Sequence, residues 1–226
     1  MSLSYILQEL DDPDFSDIQV EDETGGFAAD KTLRLLVSTL YTSWRPAQGA
    51  TFLAAVRVAI VDSRHRPTTV TPDLFLAQAI IPADEWWKPT RRLYDLSYFG
   101  KPPELVLDLV TRLGQPEAQA ARHQTYEQLG VTYRVVYDPC RLCSDQAVTV
   151  FERQGDRLTA RTDAKLPQLG LGLALQRGVF EGRDDTWLRW IDADGKPLLT
   201  GDELADFWRR QATAAAAACQ APSGNA

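Results

Sequence analysis

The chain has 226 residues, 44% of them hydrophobic, enough for one sizeable core with appendages. No apolar run approaches the roughly 20 residues of a membrane span, and Met1-Ser2-Leu3-Ser4 lacks the basic-then-apolar order of a secretory signal, so a cytoplasmic location and no membrane partner are expected. The net charge of −7 argues against broad nonspecific nucleic-acid binding, which usually shows a basic footprint.

The charge is unevenly placed. Glu9 to Asp30 holds nine acids and no base, and the rest of the chain is near neutral. Residues 1–29 therefore read as an acidic, solvated segment, a short helix followed by a loop at Gly25-Gly26. Leu33, Leu36, Val37, Leu40, Tyr41 and Trp44 then recur at helical spacing, with Asp30 as a candidate N-cap and Pro46 as the stop. Thr51 to Val61 reads as a buried strand, and Arg64-His65-Arg66 as a basic turn. Val70 to Ala77 is a second strand containing Pro72-Asp73. Residues 82–102 look irregular and carry Trp86, Trp87, Tyr94 and the bases Lys88, Arg91, Arg92 and Lys101.

Pro103 to Thr111 is a third strand, and Pro116 to Leu129 a second helix ended by Gly130. Val131 to Tyr137 is a fourth strand. Residues 146–162 alternate around Gly155-Asp156 as a β-hairpin. Residues 167–191 promise more strand, Asp192 to Gly195 a turn, and a helix from about Asp202 runs into an Ala-rich tail expected to fray. The strand–helix–strand step from 103 to 137 favours one parallel pairing, and the consecutive strands before it an antiparallel start. The expectation is an α/β fold of the α+β, mixed-sheet kind, with helices on both faces and a C-terminal β-hairpin extension. The segments are 1–29, a main domain over 30–200, and 201–226.

Two carboxylates sit in otherwise apolar strands: Asp73 in Val-Thr-Pro-Asp-Leu-Phe-Leu and Asp108 in Glu-Leu-Val-Leu-Asp-Leu-Val. Charge in a strand interior is costly unless it is paired or metal-bound. If the strands are neighbours, the two acids converge, and two carboxylates suit Mg²⁺. Arg122 lies early on the helix after the third strand and shares a face with Tyr126. Thr111 sits at the same rim. Glu104 alternates onto the face of Asp108 and is a competing ligand, here read as the solvent-side start of the strand.

This order of Pro-Asp, strand acid and basic helix residue is similar to the PD-(D/E)xK nuclease pattern. The chain resembles more specifically the Uma-two family of restriction-endonuclease-like proteins. Val70 to Leu76, Gly100 to Thr111, Arg122 to Tyr126, Leu129 to Pro139, Leu169 to Leu173 and Trp187 to Gly195 carry the resemblance, over about residues 28–210. It implies a restriction-endonuclease-like core acting as a Mg²⁺-dependent (or Mn²⁺-dependent) endonuclease on DNA phosphodiester bonds. Asp73 and Asp108 would be catalytic metal ligands, Arg122 a catalytic group, and Thr111 and Tyr126 substrate contacts. A homodimer would suit cleavage of both strands.

The chain departs from that pattern. Asp108 stands where the family has Glu, Arg122 where it has Lys, and Val110 where the wider superfamily has Lys. Arg can clamp phosphate but cannot act as a base. A catalytically degenerate binding or assembly module is therefore the alternative, and a structural buried Asp–Arg pair a third reading. The three cysteines make no disulfide framework, and the Cys140-x-x-Cys143 pair reads as two reduced turn cysteines rather than half a zinc site.

Overall fold

The computed structural model describes residues 26–63, 68–82, 84–88, 92–111 and 116–220. Most of the acidic segment, the turn Arg64-His65-Arg66, Arg91 and residues 221–226 lie outside these.

Helix α1 spans Gly26–Ser43. It begins before Asp30, so that residue lies within the helix instead of capping it, and its carboxylate pairs with Arg34 one turn on, at 3.0 Å. The expected strand over 51–61 is two strands, β1 (Phe52–Val56) and β2 (Ile60–Asp62), because Arg57 adopts a left-handed φ of 52° between them. The next one also divides, into β3 (Thr68–Val70) and β4 (Leu74–Gln78). The break falls at Thr71-Pro72-Asp73, where proline offers no N–H to a ladder. Within the irregular segment lie a short β5 (Tyr94–Asp95) and α2 (Leu96–Phe99). Asp95 caps α2 by accepting from Ser97 N–H at 2.9 Å.

Next come β6 (Leu105–Leu109), α3 (Pro116–Leu129), β7 (Tyr133–Tyr137), β8 (Val148–Gln154) and β9 (Arg157–Ala160). The last two form the expected hairpin. After β10 (Lys165–Leu166), ten-residue strands β11 (Leu171–Phe180) and β12 (Arg183–Asp192) make a second, longer hairpin. Helix α4 runs over Gly201–Gln220.

The main sheet has the order β1-β4-β6-β7-β8-β9, with only β6 and β7 parallel. The fold is thus a mixed α+β fold, as expected. Strand alternation sorts its faces. On one face Leu105 and Leu107 meet Leu33, Leu36 and Leu40 of α1 and Trp190 of β12, all buried. Trp190 Nε1 donates to Leu36 O at 3.0 Å, tying hairpin to helix. On the other face Val106 meets Tyr126 and Leu129 of α3. Ile60, Val70 and Tyr94, from the small β3-β2-β5 sheet, join that cluster. Asp108 follows Val106 on this second face, beneath α3.

Candidate functional site

Strands β4 and β6 bring the two acids together. Leu74 pairs with Leu107 in antiparallel register, so the next step sets Asp73 opposite Asp108. Proline has ended the ladder there, and the Asp73 side chain takes it over. Leu109 N–H donates to Asp73 Oδ2 at 2.7 Å. The other oxygen lies 4.0 Å from Arg57 Nε. Burial pushes the Asp73 carboxyl above its ordinary value, and the nearby Asp108 pushes it further; the Leu109 N–H, Arg122 and Arg57 act the other way.

Asp108 is buried, and both of its oxygens are engaged. Oδ1 accepts from Tyr126 Oη at 2.9 Å and from Arg122 Nη2. Oδ2 accepts from Arg134 Nε at 3.1 Å, with Arg134 Nη2 at 3.0 Å. Arg122 also donates to Thr71 O at 2.8 Å and to Tyr126 Oη at 3.1 Å, bridging α3 to the loop before Asp73. Arg134 is fixed by Gln119, whose backbone and side-chain oxygens accept at 3.2 and 2.5 Å. Its guanidinium stands 5.5 Å from the Tyr126 ring centroid. Burial works against the charge on Arg122, but Asp108 and its neighbours outweigh it and hold the guanidinium above its usual range. Burial, with Asp108 adding to it, raises the Tyr126 hydroxyl, which stays protonated as a donor.

Asp73, Asp108 and Arg122 floor a cleft of about 520 Å³. Asp73, Arg57, Arg122, Thr71 and Thr111 line it. Tyr126 does not; it is wholly buried, with its hydroxyl bonded to Asp108 and Arg122. Glu104 is at the opposite end of β6, accepting from Gln78 N–H at 2.8 Å and from Lys101. Besides Arg57, sequence reading missed Arg134. Its signal was the one that had marked Asp108, a lone charge inside an apolar strand.

The donor set fits a divalent cation poorly. A metal at Asp108 would compete with two guanidinium groups and a phenol for the same oxygens. Asp73 offers one oxygen toward the cleft, and Arg57 stands over it. Among the described residues, no three His, Cys, Asp or Glu side chains gather as a metal-binding group. Cys140 and Cys143 are exposed in the turn after β7, where the Asp138 carboxylate accepts from Leu142 and Cys143 N–H at 2.8 and 2.7 Å.

No family model matches the chain, and no curated protein does. Among solved structures it is similar to a candidate nuclease of DUF820 from Anabaena variabilis. That likeness has 12% identity and a TM-score of 0.40, over 67% of this chain and 70% of the other. No helix among the described residues is long and apolar enough to cross a membrane.

Proposed function

We propose that the cleft receives a phosphodiester of DNA, and that the chain is a nuclease-like protein in which binding is retained and metal-dependent hydrolysis is weakened. The observation that carries this reading is the saturation of Asp108 by Arg122, Arg134 and Tyr126. At the cleft Arg57 and Arg122 stand against Asp73 and Asp108, and the buried Arg134 behind Asp108 tips the local balance toward an anion over a cation. Arg122 and Arg57 stand on the cleft side, and Thr71 and Thr111 add hydroxyls at its wall.

Fluorescence anisotropy with labelled DNA at several salt concentrations tests this. Affinity should fall with salt, and Arg57→Gln should weaken binding and lower the salt slope by about one. Binding that is absent, or indifferent to both salt and Arg57, would overturn it.

A second reading, hydrolysis with Mg²⁺ or Mn²⁺ as cofactor, is favoured by one specific observation: Asp73 and Asp108 stand opposite each other at the floor of the same cleft. Its mark would be metal-dependent nicking of plasmid that disappears in Asp73→Ala.

A further inference from the structure

A second cavity opens on the same face of the sheet. It measures about 540 Å³, within the ordinary range for small-molecule sites. Six aromatic side chains line it: Phe75, Trp86, Trp87, Tyr94, Tyr98 and Phe99. The inner wall is packed ring against ring. Tyr94 stacks on Phe99 with centroids 4.5 Å apart, and Phe75 meets Tyr94 edge-on at 5.1 Å. The mouth is different. Trp86 is 53% exposed and Trp87 80%, so neither ring is packed into the body of the protein. Large exposed aromatic surface of this kind is costly to keep and marks a contact site.

Two strands run from this cavity to the arginine cleft. On β1, Ala55 lines the cavity and Arg57, just past the strand, lines the cleft. On β4, Phe75 lines the cavity and Asp73, just before it, lines the cleft. Each step is two residues of chain, at most about 7 Å. A chain whose phosphodiester rests at Arg57 can therefore place an adjoining group among the aromatic rings.

We infer that this cavity takes an unstacked nucleobase of the strand whose backbone lies in the cleft. The inference rests on the phosphodiester reading given above. Charged groups against the backbone and aromatic faces against the bases are how single strands are held without regard to sequence. Arg92 stands at the rim, its Nε donating to Trp87 O at 3.2 Å, and can meet the polar edge of a base. A paired duplex keeps its bases stacked and cannot enter, so the site selects single-stranded or locally opened DNA.

The test compares three labelled DNAs of equal length: a single strand, a duplex, and a strand with abasic spacers. Each is titrated with the full chain, and with Trp86→Ala/Trp87→Ala and Trp87→Phe. The single strand should bind about tenfold tighter than the abasic one, the loss of one stacked base. The double alanine variant should remove that advantage, and the phenylalanine variant should keep most of it. The tryptophans are exposed, so the variants should retain the far-ultraviolet dichroism of the parent. Equal affinity for single and abasic strands would overturn this inference and leave the phosphodiester reading standing. Failure of all three DNAs to bind would overturn both.

Discussion

Arg134 and Asp108 lie on neighbouring parallel strands, β7 and β6, and pair on the buried face beneath α3. The Arg134 Nη2 is 3.0 Å from Asp108 Oδ2, and the two side chains are 3% and 2% exposed. The register explains the meeting. Arg134 is level with Val106, two residues before Asp108, so both side chains leave the sheet on the same face. Without Arg134 the buried Asp108 Oδ2 loses its donors, although Oδ1 keeps Arg122 and Tyr126. Arg134→Met should cost about 3–5 kcal/mol in urea unfolding, and the double variant Arg134→Met/Asp108→Leu should recover most of that loss. A double variant no better than the single would show that the pair does not act as a unit.

The Tyr126 hydroxyl accepts from Arg122 and donates to Asp108. Tyr126→Phe removes it and leaves the ring in the core. The expected cost is about 1–3 kcal/mol, read from the denaturation midpoint at unchanged slope. An unchanged midpoint would mean that the hydroxyl is replaceable.

Asp73 gives a pH signature. Burial and Asp108 raise its folded carboxyl above the unfolded value near 3.8. The folded state therefore holds its proton to higher pH than the unfolded one does. Stability should fall as pH rises from the unfolded value through the raised one, because the charged form is disfavoured on folding. Asp73→Asn keeps an oxygen for Leu109 N–H and removes the charge. The variant should melt higher than the parent at neutral pH, with the difference shrinking as the buffer is acidified. A variant that melts lower at pH 7 would show that the Asp73 charge is a net stabiliser.

Gly130 ends α3 at a φ of 85°, with its N–H and that of Val131 both donating to Tyr126 O at 3.2 Å. That turn sets the start of β7 and hence the position of Arg134. Gly130→Ala should lower stability by about 1–2 kcal/mol through the left-handed backbone alone. Calorimetric melting checks it, and an unchanged melting temperature would contradict it.

Much of this was legible in the chain. The apolar runs around Asp108 and over 131–137, with the helix between them, have the lengths and stops that such elements require. The convergence of Asp73 with Asp108 was conditional on their strands being neighbours, a condition that the β4–β6 pairing meets. What escaped was decided by single residues. Arg57 with its positive φ split the first strand, and Pro72 split the second. Both are local conformational choices that hydrophobic periodicity does not register. The short β5 and α2 hold too few residues to show a period. Arg134 hid in Tyr-Arg-Val-Val-Tyr, where alternation reads a lone base as outward-facing. Only knowledge that a helix covers the second face, with an acid beneath it, turns that arginine inward.

On the reading proposed above, arginines rather than a metal satisfy Asp108, and the cleft binds DNA with its metal-dependent hydrolysis weakened. The direct measurement is supercoiled plasmid incubated with excess protein and Mg²⁺ or Mn²⁺, run beside Asp73→Ala. The expected result is a retarded plasmid that stays supercoiled once protein is stripped away. Nicked or linear product that needs the metal, and that vanishes in Asp73→Ala, would contradict the claim and establish hydrolysis at this site.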